Sequence, residues 1–121
     1  MSKRILVVED EEDNRRIMRD LFTSVGYEIL EAGTGLEGVT AAETHRPDLI
    51  LMDIQLPGLD GYEATRRIKN NPTLRHIPII VVTSYALSGD DIKAFEAGCD
   101  AYISKPFSPR VLLAKVREYL P

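Results

Sequence analysis

The sequence predicts a doubly wound α/β fold of three layers: a five-stranded parallel sheet in the order 2-1-3-4-5, with five helices packed over its two faces. Three observations predict it. Short apolar runs of the kind needed by strands covered on both faces recur along the chain, notably Ile5-Leu6-Val7-Val8, Leu49-Ile50-Leu51-Met52 and Ile79-Ile80-Val81-Val82. Between them lie segments whose apolar residues fall at helical spacing, so strand and helix alternate. Each run then ends in polar side chains, Glu9-Asp10, Asp53 and Thr83-Ser84, and open α/β sheets bind their ligands at the carboxyl ends of strands.

The elements follow in order. Strand 1 is residues 5–8, closed by Glu9-Asp10. Glu11, Glu12 and Asp13 suit the solvated, positive end of a helix dipole. That helix has Ile17, Met18, Leu21, Phe22 and Val25 on its apolar side and stops at Gly26. Residues 27–30 are a short strand 2. Thr34-Gly35-Leu36-Glu37 has the spacing of a capping box and opens a helix to about His45, ended by Pro47. Strand 3 is residues 48–53. The turn residues Pro57-Gly58 and Asp60-Gly61 oblige it to stop near Asp53 and leave that carboxylate at its end. A helix over residues 62–70 turns Tyr62, Ala64 and Ile68 inward, and Asn70-Asn71-Pro72 breaks it. Pro78 introduces strand 4, residues 79–84, rich in β-branched side chains. Ser88, with Asp91 three residues on, caps the fourth helix, whose apolar side is Ile92, Phe95 and Ala97 before Gly98. Strand 5, residues 100–104, alternates more than the others and belongs near an edge. Ser108-Pro109 caps and begins a last helix carrying Val111, Leu112, Val116 and Leu120.

With 121 residues and no repeat or long linker, residues 1–121 form one expected domain. A net charge of -4 argues against a nucleic-acid or anionic-membrane surface. No apolar stretch approaches the roughly 20 residues of a membrane span, and Met1-Ser2-Lys3-Arg4 runs straight into a strand rather than a cleavable signal, so the cytoplasm is the expected compartment. Cys99, being alone, makes an internal disulfide or a thiolate metal cage impossible and reads as a small buried side chain. His45 and His76 read as surface residues.

The strand order has a chemical consequence. It sets Glu9 and Asp10 beside Asp53 at the switch point between strands 1 and 3, flanked by Thr83 and Lys105 from strands 4 and 5. Two unit charges ~4 Å apart repel by about 4 kcal/mol at an effective dielectric near ~20, so clustered carboxylates call for a cation. Oxygen donors without a Cys/His cluster suit Mg²⁺, with Mn²⁺ able to replace it, rather than Zn²⁺. A carboxylate beside such a metal can act as nucleophile on phosphorus, with Thr83 donating a hydrogen bond and Lys105 a charge to the phosphoryl oxygens.

Four segments, in order and at five-stranded spacing, carry a family resemblance: Val7-Val8-Glu9-Asp10, Leu51-Met52-Asp53-Ile54-Gln55-Leu56-Pro57-Gly58-Leu59-Asp60-Gly61, Val82-Thr83-Ser84 and Tyr102-Ile103-Ser104-Lys105-Pro106-Phe107. The whole chain resembles the receiver domain of two-component response regulators, and is similar to the stand-alone chemotaxis and DivK-type regulators with their flavodoxin-like, CheY-like sandwich. The resemblance implies that Asp53 accepts a phosphoryl group and that Asp10, Asp53 and the backbone carbonyl of Gln55 hold Mg²⁺, with Glu9 helping through water. It implies that Thr83, Ser84 and Lys105 receive the phosphoryl group, that Lys105-Pro106 is cis, and that Thr83 and Tyr102 form a switch pair. The partners it implies are a histidine kinase or histidine phosphotransfer protein, and a downstream protein bound through the face of helix 4, strand 5 and helix 5 by a monomer or weak dimer. Glu9 stands where aspartate is common in the family, and Gln55 and Tyr85 occupy positions that tune the phosphoryl lifetime. A receiver excised from a hybrid kinase or longer regulator remains open beside the stand-alone reading. A Mg²⁺-dependent aspartyl-phosphate phosphatase would carry a second acid where Gln55 stands, and a flavodoxin-like binding module or pseudo-receiver would not need the Asp10, Asp53, Thr83 and Lys105 set.

Overall fold

The computed structural model describes residues 2–83 and 90–121, Asp90 through its backbone alone. Ten elements alternate along the described residues: β1 Arg4–Val8, α1 Glu12–Ser24, β2 Glu28–Ala32, α2 Gly35–His45, β3 Leu49–Asp53, α3 Gly61–Lys69, β4 Ile79–Thr83, α4 Asp90–Glu96, β5 Ala101–Ser104 and α5 Pro109–Tyr119. The strands pair in parallel in the order β2-β1-β3-β4-β5, as the sequence predicts.

Period-two alternation within apolar runs gives the sheet two apolar faces. Ile5, Val7, Leu49, Leu51, Ile80 and Val82 pack with Met18 and Phe22 of α1 and Leu112 and Val116 of α5. Their neighbours Leu6, Val8, Ile50, Met52, Ile79 and Val81 pack on the other side with Ala42 of α2, Ala64 and Ile68 of α3 and Ala94 of α4. The register brings the carboxyl ends level: Val8 lies opposite Ala32 and Met52, Asp53 opposite Val82, and Thr83 opposite Ser104. Whatever follows β1, β3, β4 and β5 therefore emerges on one rim.

Local chemistry sets the helix starts. Thr34 Oγ1 accepts from the Glu37 N–H at 3.0 Å, Asp60 Oδ1 from Glu63 at 2.9 Å and Ser108 Oγ from Val111 at 3.1 Å. The Asp60 cap begins α3 one residue earlier than the apolar spacing suggests. Two strand ends shift for a similar reason. Asp48 lies outside β3, its carboxylate accepting from the Arg4 N–H at 2.8 Å. Asp100 lies outside β5, where it accepts from Lys69 Nζ and the Ile79 N–H, both at 2.8 Å. Strand 2 sits at Glu28–Ala32, one residue later at its start than expected, because its register is set by pairing with β1 rather than by its own weak pattern.

Helix faces depart further from the sequence reading. On α4 the buried residue is Ala94, with Ala97 just beyond the helix end also buried, while Ile92 and Phe95 stand 60% and 51% exposed. A seven-residue helix whose alanines meet the sheet approaches closely, and residues two positions away turn to the opposite side. Ile17, Val25 and Val111 are likewise exposed, so α1 and α5 bury Met18, Phe22, Leu112 and Val116 only. Cys99 is buried, and burial pushes its thiol up to about 11. The expected cap of helix 4 at Ser88 lies outside the described residues.

One polar atom sits badly in this packing. Thr65 on α3 is fully buried, and its hydroxyl meets no hydrogen-bond partner among the described residues. Thr65→Val should stabilise the protein by about 1 kcal/mol, because it removes an unsatisfied hydroxyl at nearly constant shape. A rise in the urea midpoint at unchanged slope is the expected result, and a loss of stability would show that the hydroxyl is satisfied.

Candidate functional site

Glu9 and Asp10 follow β1, and Asp53 ends β3, so the central pairing of β1 with β3 gathers three carboxylates. One oxygen from each lies within 4.8 Å of the others. From the far side of the sheet Lys105 follows β5. Its N–H donates to the Thr83 carbonyl at 2.6 Å, and the Lys105–Pro106 peptide is cis. Its ammonium stands 2.7 Å from Glu9 Oε1 and 3.7 Å from Asp53 Oδ2. Thr83 ends β4, buried to 1% exposure.

The backbone around Asp53 is shaped by a glycine. A Cβ at Gly61 would fall 2.1 Å from the Asp53 carbonyl oxygen, so only glycine lets α3 start directly against the end of β3. Within the same loop the Gln55 N–H donates to Asp53 Oδ1 at 3.3 Å. Glu9, 2% exposed, is held more completely. Its Oε1 accepts from Lys105 and from Asn14 Nδ2 at 3.3 Å, and its Oε2 from the Glu11 N–H at 3.3 Å.

Crowding shows in the proton affinities. Burial, then the hydrogen bond and charge of Glu9, push the Asp53 carboxyl up to about 7, and Lys105 and the Gln55 amide offset only part. Burial also pushes Glu9 upward, but hydrogen bonds from protonated Asp53 and from Lys105, with the charge of Lys105, hold it below the usual carboxylate range. Desolvation, then the hydrogen bond and charge of Glu9, raise Asp10. For Lys105, burial favours proton loss, and Glu9 and Asp53 outweigh it. The three acids thus carry more negative charge than one ammonium neutralises. Three hard oxygen donors in that condition fit a small divalent cation such as Mg²⁺.

Of the residues singled out from sequence, Glu9, Asp10, Asp53 and Lys105 meet at one rim, with Thr83 at the end of the neighbouring strand. Ser84 and Tyr85 lie outside the described residues. Tyr102 is half-buried in β5 and packs against the layer that also holds Val81, two residues before Thr83 on β4. Asn14 and Arg15 escaped the sequence reading: both sit in the first turns of α1 and reach back to Glu9. They stand five and six residues after Glu9, at the third and fourth positions of α1, and that spacing alone does not mark them in the sequence.

A family model of the response regulator receiver domain matches residues 5–117. The chain belongs to this family. It is similar to the polar-differentiation response regulator DivK of Brucella anthropi, 47% identical over 120 residues that span 99% of this chain and 98% of that protein. Among solved structures, the receiver domain of a sensor histidine kinase from Pseudomonas aeruginosa shares 38% identity at a TM-score of 0.92, covering 99% and 98% of the two chains. That receiver holds a magnesium ion in its active-site cleft. A CheY-like receiver from Methanospirillum hungatei matches at 35% identity and a TM-score of 0.93, over 99% and 94%. The receiver fold and a place in two-component signalling, which the sequence resemblance implied, hold for this chain. Among the described residues no helix of the receiver is long and apolar enough to cross a membrane.

Proposed function

We propose that this receiver accepts a phosphoryl group on Asp53 from a phosphohistidine on a kinase or phosphotransfer protein, or from a small acyl phosphate. The carrying observation is that Glu9, Asp10 and Asp53 bring oxygens within 4.8 Å of one another, with the Lys105 ammonium 2.7 Å from Glu9 and 3.7 Å from Asp53. An Asp53 oxygen attacks phosphorus in line, the P–N bond of the donor breaks, and the imidazole leaves with its electron pair and takes up a proton. Mg²⁺ or Mn²⁺, held by Asp10, Asp53 and the Gln55 carbonyl with Glu9 acting through water, would supply positive charge to the transferring oxygens. Lys105 moves from Glu9 to a phosphoryl oxygen, and the Thr83 hydroxyl, joined by Ser84, donates to another. The protein turns over no external substrate beyond its own phosphorylation and dephosphorylation.

Phosphorylation adds roughly -1.5 to -2 charge. Drawing Thr83 and Lys105 inward biases Tyr102 and the face of α4, β5 and α5, where exposed Ile92, Phe95 and Val111 give a downstream protein apolar area to bind. The working compartment is the cytoplasm, the acting species a monomer or weak dimer, and the receiver's own switching face contacts protein. Incubation with acetyl phosphate and Mg²⁺ should add the mass of one phosphoryl group to the intact protein, and EDTA should prevent it. No gain by the wild type under trapping conditions would overturn the reading.

A protein donor must bring its histidine to Asp53 past Lys105. A groove of about 460 Å³ lined by Asn14, Ile17, Met18, Lys105, Pro106 and Phe107 adjoins that lysine, and Ile17 on its rim is 57% exposed. Ile17→Asp should slow transfer from a phosphorylated donor protein at least tenfold, since a charge in an apolar contact costs more than about 1.4 kcal/mol. Labelling by acetyl phosphate should stay within twofold. Equal slowing with both donors would remove the groove from donor docking.

A further inference from the structure

We propose that Arg15 is a positioning residue for the acidic pair, clamping the peptide between Glu9 and Asp10 so that their carboxylates are preset for a divalent cation. This rests on the cation-binding reading of the site. Arg15 Nη1 donates to the Glu9 carbonyl at 2.6 Å, while its Nη2 pairs with Glu12 and its Nε lies 3.4 Å from Glu31 Oε1. The guanidinium is anchored on α1 and on β2 at once, and its side chain is only 17% exposed.

The other side of the same segment is pinned as well. The Glu9 N–H donates to the Ala32 carbonyl at 3.0 Å, so donor and acceptor flanking the Glu9 side chain are both fixed to the β2 end of the sheet. Room for the clamp comes from Gly33, where a Cβ would stand 3.3 Å from Arg15 Nη1, tighter than an ordinary contact. A flexible Glu9-Asp10 segment would have to be ordered at each binding event, whereas one held by a planar, two-sided guanidinium is already in place.

The sign of the effect separates this role from plain electrostatics. Removing a cation near a cluster of acids should tighten Mg²⁺ binding on Coulomb grounds. Loss of a positioning group should weaken it. Arg19 supplies the comparison, because it pairs with the same Glu31, at 2.8 Å, and no described contact joins it to Glu9.

Calorimetric titration of the full chain with Mg²⁺ alone tests the proposal. Arg15→Met is expected to weaken binding about tenfold, the usual effect of losing a residue that orients metal ligands. Arg15→Lys should restore part of the affinity, and Arg19→Met should leave it unchanged or slightly tighter. Thermal melts in EDTA report folding independently, and Arg15→Gln carries the test if Arg15→Met does not fold. Wild-type protein that binds no Mg²⁺ would sink the cation-binding reading itself. Wild-type binding with Arg15→Met or, failing its folding, Arg15→Gln within twofold would overturn the positioning role alone, as would equal weakening by Arg19→Met.

Discussion

Asp53→Asn should lose all phosphoryl labelling by acetyl phosphate and, in the same preparation, melt at a higher temperature than the wild type in EDTA at pH 8. The two results have one cause. A carboxylate 8% exposed among two other acids is the nucleophile of the proposed transfer and a burden on the fold that holds it. Its carboxyl is raised from 3.8 to about 7 in the folded protein. Between those values the folded state keeps a proton that the unfolded chain has released, so stability falls as pH rises through the window, and the penalty is complete above pH 7. Below 3.8 both states are protonated and the penalty vanishes. At about 1.4 kcal/mol per tenfold change in proton affinity the displacement sets a ceiling of roughly 4 kcal/mol. Glu9 moves the other way, its contribution present above its ordinary 4.5 and lost as pH falls below it. That opposes the Asp53 penalty in sign, so the ceiling is an upper bound on the net cost. Asparagine keeps the shape without the charge. Its melting temperature should exceed that of the wild type by several degrees at pH 8 and match it near pH 4. Melts across pH in EDTA, paired with intact mass after labelling, check both parts. Labelling of Asp53→Asn equal to wild type would move the acceptor elsewhere, and a pH-independent difference in melting would remove the electrostatic account.

The fold was legible because its signals are long-ranged in pattern and short in sequence. Runs such as Ile79-Ile80-Val81-Val82 cannot sit in water on either face, and a polar residue closing each run can only emerge at the rim. That pattern sets Glu9 and Asp53 at the rim, and the strand order 2-1-3-4-5 brings Lys105 to the same rim. Helix faces were less legible. Ile92 and Phe95 are the larger apolar residues of α4, yet Ala94 and Ala97 are the ones buried. Hydrophobicity ranks side chains but does not say how close a short helix must come to the sheet, and close approach selects small residues. Arg15 was invisible for another reason: its partner is the Glu9 carbonyl, and every residue has one. Side chains that hold backbone leave no complementary letter elsewhere in the sequence.

The Asp60-Gly61 pair reads in sequence as a turn, but the structure gives its glycine a more demanding task. Helix propensity alone would make Gly61→Ala stabilising by up to about 1 kcal/mol, since Gly61 is the first residue of α3. Sterics reverse the sign. A Cβ at that position meets the Asp53 carbonyl oxygen at 2.1 Å and the Ile54 Cα at 2.7 Å. Both are backbone atoms, so no rotamer change relieves the overlap, and either α3 or the end of β3 must shift. The expected loss is at least about 3 kcal/mol, at the upper end of overpacking. Gly58, three residues earlier in the same loop, provides the contrast: its φ of +71° disfavours a side chain, yet nothing lies within 4 Å of the added Cβ. Gly58→Ala should cost roughly 1–2 kcal/mol, the price of a left-handed residue. Urea unfolding orders the two. Because the Gly61 clash falls on the residue proposed as the acceptor, any Gly61→Ala protein that folds should also label with acetyl phosphate more slowly, while Gly58→Ala labels normally. Equal stability loss at both glycines would mean that the approach of α3 to Asp53 is looser than 2.1 Å implies.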